Sequence, residues 1–277
     1  MASPGFRSPL AVIGADSSFI TARYRQRPML LEVHDLHVRV KGREVLRGVN
    51  MSVGSGETVI LMGPNGSGKS SLIHTIMGNP DYEMTRGDIL FDGRSLNSMT
   101  TDQRARLGIG VSFQSPPKVS GIQLGKLLSE IHEKGGDKAV KADSYTELLR
   151  CSDLVGRDVN VGFSGGETKR GELLLLLAQR PLLSMIDEPD SGVDVESIQL
   201  VIRAIEELLK PRDSEPYDRP SALIVTHQGT IGKDLNVSRA YIMIDGRIAC
   251  FGEAKAIVDL VMTRGFEECV RCMRRTR

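Results

Sequence analysis

The sequence predicts an α/β fold, because short apolar segments of strand type alternate along it with segments of helical spacing. Residues 58–62 form an apolar run that ends at Gly63, as is typical of a buried parallel strand. Residues 222–226 form a second run of this kind. Between residues 195 and 209 the apolar side chains keep helical spacing instead, which predicts an amphipathic helix.

Further strands are predicted on both sides of these elements. Residues 31–40 and 45–53 are strand-rich. Residues 89–91 and 241–244 each run into an Asp-Gly pair, which is a strong turn signal. Order is therefore expected to begin near Leu30.

Three regions are predicted along the chain. Residues 1–28 are rich in Arg, Ser and Pro, which predicts a flexible extension or, alternatively, a transit-type peptide. Residues 29–262 carry the α/β pattern; within them, residues 115–161 show helix-like stretches and few strand signals, so we interpret them as a small helical insertion. Residues 263–277 are expected to form a basic tail.

Composition limits the function. Lys and Arg number 36 and Asp and Glu 35, giving a net charge of +1, so nucleic acid is not expected as a partner. No apolar run approaches the ~20 residues that span a bilayer, which excludes a channel or a complete transporter built by this chain alone.

Cys269 and Cys272 form one CxxC pair, whereas a structural zinc site needs about four ligands. We expect a free, solvated pair, with a metal or cluster contact shared with a partner as the alternative.

Residues 63–70 match the phosphate-binding pattern G-x-x-x-x-G-K-[ST] in full. Its glycines let backbone N–H groups turn towards phosphates, and the helix that follows adds its positive N-terminal end. In this pattern Lys69 reaches the β- and γ-phosphates and Ser70 ligates magnesium. The motif alone predicts a nucleoside triphosphatase. The residues expected to bind the nucleotide here are Gly63, Pro64, Asn65, Gly66, Ser67, Gly68, Lys69, Ser70 and Ser71.

Two adjacent acids, Asp187 and Glu188, end the mostly apolar segment 182–186. This placement suits an aspartate that holds magnesium beside a glutamate that acts as a base. A solvated turn is the alternative, and the phosphate loop upstream disfavours it.

Ser164-Gly165-Gly166-Glu167 opens a predicted helix, whose N-terminal N–H groups form an anion site that lacks a lysine loop of its own. Taken in order, the motifs resemble those of the ABC ATPase family. Ser164 to Glu167 resembles the family's signature, Gln114 its Q-loop glutamine, residues 189–194 its D-loop and His227 its switch histidine.

The resemblance implies a RecA-like core with an antiparallel β subdomain and a small helical subdomain, and ATP and Mg²⁺ as ligands. It also implies that two copies close head to tail around ATP. Ser164, Gly165 and Gly166 of one copy would then meet the γ-phosphate held by Lys69 of the other.

The same resemblance implies the remaining roles. Glu188 would polarise the attacking water and His227 would contact the γ-phosphate. Gln114 would sense magnesium, which Ser70 and Asp187 would also contact.

Two further positions bear on these roles. Lys169, on the helix after the signature, would by the same resemblance pair with Glu188 in a resting monomer, with an exposed helix lysine as the alternative. Val40 stands where the family often stacks an aromatic residue on adenine, so base stacking is expected to be lost or replaced.

The sequence that flanks these motifs is similar, more specifically, to the SufC ATPases of the Suf iron–sulfur cluster assembly system, over residues of about 30 to 252. Residues 79–85 and 159–163 carry this similarity, because they are not general ABC features. Pro189 and residues 228–230 depart from it.

This finer resemblance implies a cytoplasmic ATPase that drives conformational change in soluble Suf-type scaffold proteins. The alternative is the nucleotide-binding subunit of a membrane ABC transporter, with transmembrane subunits as partners. A third class, ABC ATPases of DNA repair or translation, is disfavoured by the single motif set and the lack of a long heptad insertion.

Overall fold

The strands of this protein form two sheets, one mixed and mostly parallel and one antiparallel. A computed structural model describes residues 28–135, 142–211, 219–227 and 231–266. The strands are β1 Met29–Val40, β2 Arg43–Gly54, β3 Thr58–Met62, β4 Glu83–Phe91, β5 Arg94–Ser95, β6 Ile109–Ser112, β7 Leu183–Asp187, β8 Ser221–Thr226, β9 Arg239–Ile244 and β10 Arg247–Glu253. The helices are α1 Lys69–Met77, α2 Thr101–Arg106, α3 Leu124–Gly135, α4 Ala142–Leu148, α5 Gly165–Gln179, α6 Val195–Leu208, α7 Ile231–Asp234 and α8 Ala254–Arg264.

The larger sheet has six strands in the order β10-β9-β3-β8-β7-β6. All its neighbours are parallel except β9 and β10, which form an antiparallel hairpin. Every residue of β3, β7 and β8 is buried, as expected for strands covered on both faces. The α/β prediction and the predicted strands at 58–62 and 222–226 are confirmed.

The smaller sheet is antiparallel and has the order β2-β1-β4-β5. It packs on one face of the larger sheet, because Val59 and Leu61 of β3 share a core with β1, β2 and α1. Ile60 and Met62 point to the opposite face, where α5 and α6 lie. This alternation follows from the two-residue period of a strand, and it gives β3 a packed layer on each side.

Helices α3 and α4 lie within the residues predicted as a helical insertion. Leu124 and Leu128 of α3 and Tyr145 of α4 join the core that contains the leucines of α5. The insertion is therefore attached to the rest of the chain mainly through α5, the helix that the signature opens.

Of the predicted N-terminal extension, residues 1–27 lie outside the described residues, as does most of the tail, including Cys269 and Cys272. Among the helices that the structure describes, none has the length and apolar character needed to cross a membrane.

A buried ion pair joins the two sheets at the end remote from the phosphate loop. Arg239 at the start of β9 donates from Nε and Nη2 to the two carboxylate oxygens of Glu57, both at 2.6 Å. Glu57 also accepts from the N–H of Gly54, and Arg239 also donates to the carbonyl of Ser52. Glu57 is 2% and Arg239 7% exposed, so each charge depends on the other for solvation.

Glu57→Ala is therefore expected to lower the free energy of unfolding by about 3–5 kcal/mol, because it leaves the Arg239 guanidinium buried without its counter-ion. Urea denaturation at neutral pH measures the change. Arg203→Ala, at an exposed position of α6, serves as the control. A loss for Glu57→Ala within the range of about 0.5 kcal/mol that is usual for surface changes would contradict this assignment.

Candidate functional site

The phosphate-type loop at 63–70 connects β3 to α1 and curls around its own lysine. Lys69 Nζ donates to the carbonyl oxygens of Gly63 at 2.9 Å and Pro64 at 3.1 Å. Gly68, the N-cap of α1, has a φ of 107°, a value that favours glycine. Burial lowers the pKa of Lys69, while Glu188 and Asp187 act to raise it. The loop therefore presents a buried ammonium and a helix N-terminus to one side, the chemistry that binds phosphate.

This loop forms one wall of a cavity of about 390 Å³, a size suited to a small-molecule ligand. The predicted nucleotide-binding residues Asn65, Gly66, Gly68, Lys69, Ser70 and Ser71 line it, as do Gln114 and Glu188. The rest of the lining consists of residues that sequence reasoning missed, namely Glu44, Val45, Arg47, Asp245 and Gly246.

The Asp245-Gly246 turn adjoins the phosphate loop and bonds directly to it. The N–H of Gly246 donates to the carbonyl of Ser67 at 2.8 Å. A Cβ at Gly246 would lie 2.3 Å from the carbonyl oxygen of Val45, and its φ is 73°, so only glycine fits there. The turn signal was visible in the sequence, but its place beside the loop was not. Val40 does not line the cavity, and among the described residues that do, none is aromatic.

Asp187 and Ser70 form a second polar wall of the site. Asp187 ends β7 and is 2% exposed, and the Ser70 hydroxyl hydrogen-bonds to its carboxylate. Burial raises the pKa of Asp187, the bond from Ser70 lowers it, and the neighbouring Glu188 raises it again.

Two buried polar atoms beside the loop, Ser67 Oγ and Asp187 Oδ1, have no hydrogen-bond partner among the residues that the structure describes. Buried polar atoms normally have partners, so these point to a ligand. Asp187 Oδ1 and the neighbouring Ser70 hydroxyl are oxygen donors of the kind that Mg²⁺ prefers, and Ser67 Oγ can donate to a phosphate oxygen, so the site fits magnesium together with a phosphate group.

The structure brings the three predicted catalytic residues together. Gln114 Nε2 donates to Glu188 Oε2 at 2.5 Å, and His227 Nδ1 lies 3.5 Å from Glu188 Oε1. Glu188 is 6% exposed and has a φ of 46°, an uncommon value for a residue with a side chain. Such backbone positions cluster at functional sites. The carboxylate lines the cavity, where Gln114 bonds to one of its oxygens and His227 lies near the other.

Lys169 does not behave as the sequence suggested. It is neither exposed nor paired with the Glu188 carboxylate: it is 4% exposed, and its Nζ donates to the carbonyls of Phe113 and Asp187, both at 3.1 Å. The expected Lys169–Glu188 pair is therefore wrong. The physical reason is reach: α5 places the ammonium between the end of β6 and the end of β7, where backbone oxygens satisfy it. Burial lowers the pKa of Lys169, and Asp187, Glu172 and Glu188 oppose this.

The signature segment lies apart from this cavity. Ser164 caps α5 reciprocally with Glu167: Glu167 N–H donates to Ser164 Oγ, and Ser164 N–H donates to the Glu167 carboxylate. The bond from the Ser164 backbone, and then Arg157, keep the pKa of Glu167 low. The cap leaves the N–H groups of Gly165 and Gly166, in the first turn, without intrahelical acceptors.

Of the described residues that line the 390 Å³ cavity, none comes from the signature. The structure thus does not bring Ser164, Gly165 and Gly166 to the phosphate loop of the same chain.

Comparison with known proteins agrees with this geometry. Residues 46–191 match the family model described as ABC transporter. A probable ABC transporter ATP-binding protein of Streptococcus pyogenes is 37% identical over 81% of this chain and 89% of its own length. The probable ATP-dependent transporter SufC of Escherichia coli is 34% identical over 83% of this chain and 95% of its own length.

Solved structures show the same fold. An ATP-binding subunit of an ABC transporter superimposes with a TM-score of 0.70 at 24% identity, covering 88% of this chain and 99% of its own. A dimeric ATP-binding cassette bound to ADP and Pi superimposes with a TM-score of 0.65 at 20% identity, covering 81% of this chain and 98% of its own.

Lys169→Ala is expected to lower the free energy of unfolding by about 1–3 kcal/mol, because it leaves two buried carbonyl oxygens without their donor. It is not expected to raise basal nucleotide turnover, since Lys169 does not hold the Glu188 carboxylate. Urea denaturation and a phosphate-release assay measure the two effects. Lys126→Ala, at an exposed position of α3, is the matched control. Faster turnover with unchanged stability would instead show that Lys169 restrains Glu188.

Proposed function

The chain belongs to the ABC ATPase family, whose members bind and hydrolyse ATP, and we propose that it closes head to tail with a second copy to drive a conformational change in an iron–sulfur cluster assembly scaffold. The observation that carries the dimer is the separation of the two phosphate-binding elements. The loop with Lys69 lines the cavity, and the signature at 164–167 does not. A second copy supplies the missing wall.

The nucleotide is seated by the phosphate loop. Lys69 exchanges its bonds to the carbonyls of Gly63 and Pro64 for bonds to phosphate oxygens. The N–H groups of the loop and the N-terminus of α1 face the same charge. Ser70 and Asp187 are the residues that would hold magnesium, with Gln114 nearby. When bound, the ion neutralises charge on the phosphates.

In this mechanism Glu188 is the general base. Its carboxylate takes a proton from water, the water oxygen attacks the γ-phosphorus, and the bond from that phosphorus to the bridging oxygen of ADP breaks. Gln114 Nε2 now donates to Glu188 Oε2. We infer that Gln114 leaves this oxygen before water can reach it, so that the observed contact belongs to a resting arrangement. His227 lies at the other carboxylate oxygen and would contact the γ-phosphate.

The iron–sulfur part of the proposal is supported by the two segments most similar to SufC. Both pack next to the Q-loop, the segment that follows β6 and contains Gln114. Tyr82 of the first segment stacks on His74, which in turn stacks on Phe113. Asn160 of the second donates to the carbonyl of Pro117 at 3.0 Å. The relative from Escherichia coli that carries the SufC name supports the same interpretation. The site of action is then the cytoplasm, and the partners are soluble.

A second candidate is the nucleotide-binding subunit of a membrane transporter. The names of the streptococcal relatives favour it. Both candidates use the same site, so only the partner separates them.

Glu188→Gln is expected to keep ATP binding and to lower turnover by about 100-fold or more, because it removes the general base. With ATP and Mg²⁺ the variant should accumulate as a dimer, which size-exclusion chromatography with light scattering detects. Lys69→Ala should bind ATP weakly or not at all and stay monomeric under the same conditions. The sandwich is refuted if Glu188→Gln binds ATP and remains monomeric, both alone and with a scaffold protein present.

The partner is tested with purified components. Suf-type scaffold proteins should accelerate ATP turnover by the chain and co-elute with Glu188→Gln in the presence of ATP. Transmembrane ABC subunits in detergent are the parallel arm. Stimulation by the transmembrane subunits alone would overturn the iron–sulfur assignment and leave the ATPase mechanism intact.

A further inference from the structure

A histidine ring lies between two aromatic rings behind the Q-loop. His74 is on α1, one helical turn after Ser70, so the two side chains lie on the same helix face. Its ring centroid is 5.0 Å from that of Tyr82, with the planes inclined by 14°. On the other side it is 5.2 Å from the ring of Phe113, at 15°. Both contacts are within the range of stacked aromatic pairs.

The stack joins three parts of the chain. Tyr82 lies in the turn before β4, and Phe113 directly precedes Gln114. The carbonyl of Phe113 is already fixed by Lys169, as described above. The ring of Phe113 is fixed by His74. Phe113 is thus held by its backbone from α5 and by its side chain from α1.

A second cavity, of about 230 Å³, lies between the His74–Phe113 stack and the polar wall formed by Asp187 and Ser70. Ser70, His74, Phe113, Gln114 and Asp187 contribute to its lining. Gln114 lines this cavity and also the 390 Å³ cavity that contains Glu188. A shift of Phe113 into the smaller cavity would therefore change where Gln114 lies relative to both cavities.

The chemistry of the ring suits packing rather than proton transfer. Burial lowers the pKa of His74 and the Asp187 carboxylate opposes this, so the surroundings disfavour the charged imidazolium. His74 Nδ1 lies 3.5 Å from the Asn79 amide, at the limit of a hydrogen bond. What the ring provides is a flat surface on both faces.

We propose that His74 is a positioning residue for ATP hydrolysis: stacked between Tyr82 and Phe113, it fixes the backbone of the Q-loop, so that the Gln114 side chain lies within reach of Glu188 at rest and of the nucleotide site once it has left the carboxylate. The inference rests on the proposed roles of Gln114 and Glu188 in hydrolysis, and it adds a residue that touches neither nucleotide nor the reacting atoms.

The test compares two substitutions of similar size. His74→Leu fills the space without a flat ring, whereas His74→Phe keeps a flat ring without the imidazole nitrogens. His74→Leu is expected to lower kcat about 10-fold to 100-fold, the effect of a small displacement at a reacting centre, and to leave KM for ATP within about 2-fold. His74→Phe should keep kcat close to that of the wild type. Thermal unfolding of each variant establishes that the fold is intact.

A double-mutant cycle with Gln114→Ala shows whether His74 acts through the glutamine. If it does, His74→Leu combined with Gln114→Ala has the same kcat as Gln114→Ala alone. Losses that multiply, or a kcat for His74→Phe as low as that for His74→Leu, would overturn the proposal. So would a rise in KM that accounts for the whole effect.

The two proposals fail in different ways. Loss of the dimer in Glu188→Gln would refute the head-to-tail mechanism, and the His74 cycle would still be read from basal turnover. Wild-type turnover that does not depend on Glu188 would overturn both, because no Gln114–Glu188 arrangement would then remain for His74 to position.

Discussion

The register of three parallel strands is the constraint on which the whole site depends. Met62 at the end of β3 pairs with Thr226 at the end of β8, and Asp187 at the end of β7 pairs with Val225. The phosphate loop begins directly after Met62. Glu188 directly follows Asp187 and His227 directly follows Thr226, so all three lie at the same edge of the sheet. A slip of one residue would reverse which side chains face each layer of the core, and both faces of these strands are buried. The core therefore fixes the register, and the register places the functional groups side by side.

This edge concentrates four charged side chains in a poorly solvated region. Lys69 and Lys169 are 5% and 4% exposed, and Asp187 and Glu188 are 2% and 6% exposed. None could be buried as a single charge without a large penalty, but each lies near charges of opposite sign and makes hydrogen bonds. The carboxylates Asp187 and Glu188 act to raise the pKa of both lysines against the effect of burial. Lys169 thus stabilises the acidic pair by its positive charge and by its hydrogen bond to the Asp187 carbonyl, without touching the Glu188 carboxylate.

Much of this arrangement could be predicted from local sequence. Three features depend on residues close together in the chain, and their spacing predicts the local geometry: the phosphate loop, the acids at the end of β7 and helix α6. The remaining features depend on long-range packing. Gln114 and Glu188 are 74 positions apart, and no periodicity predicts that their side chains bond. Lys169 occupies a position whose spacing was equally compatible with exposure, and its two carbonyl partners became visible only in three dimensions. The β2 residues of the cavity lining could not be predicted for the same reason, since sheet packing and not a motif brings them there.

The Q-loop is where the phosphate-binding part of the chain meets the helical part, and its attachments show how the two could be coupled. Beyond the contacts to Phe113 and Gln114, the Asn160 amide donates both to Pro117 O and to Glu172 Oε1, the latter at 3.1 Å. Glu172 belongs to α5, and burial raises its pKa while the bond from Asn160 opposes this. The side of the Q-loop near β6 is therefore attached to α1 through His74 and to α5 through Lys169, and the side near α3 is attached to α5 through Glu172. Because α5 also carries the signature at its N-terminus, a rotation of α5 relative to α1 would strain the contacts of Phe113, which come from both helices. That strain would fall on the residue next to Gln114, whose side chain donates to Glu188, so movement of the helical part would act on the Gln114–Glu188 contact through the Q-loop.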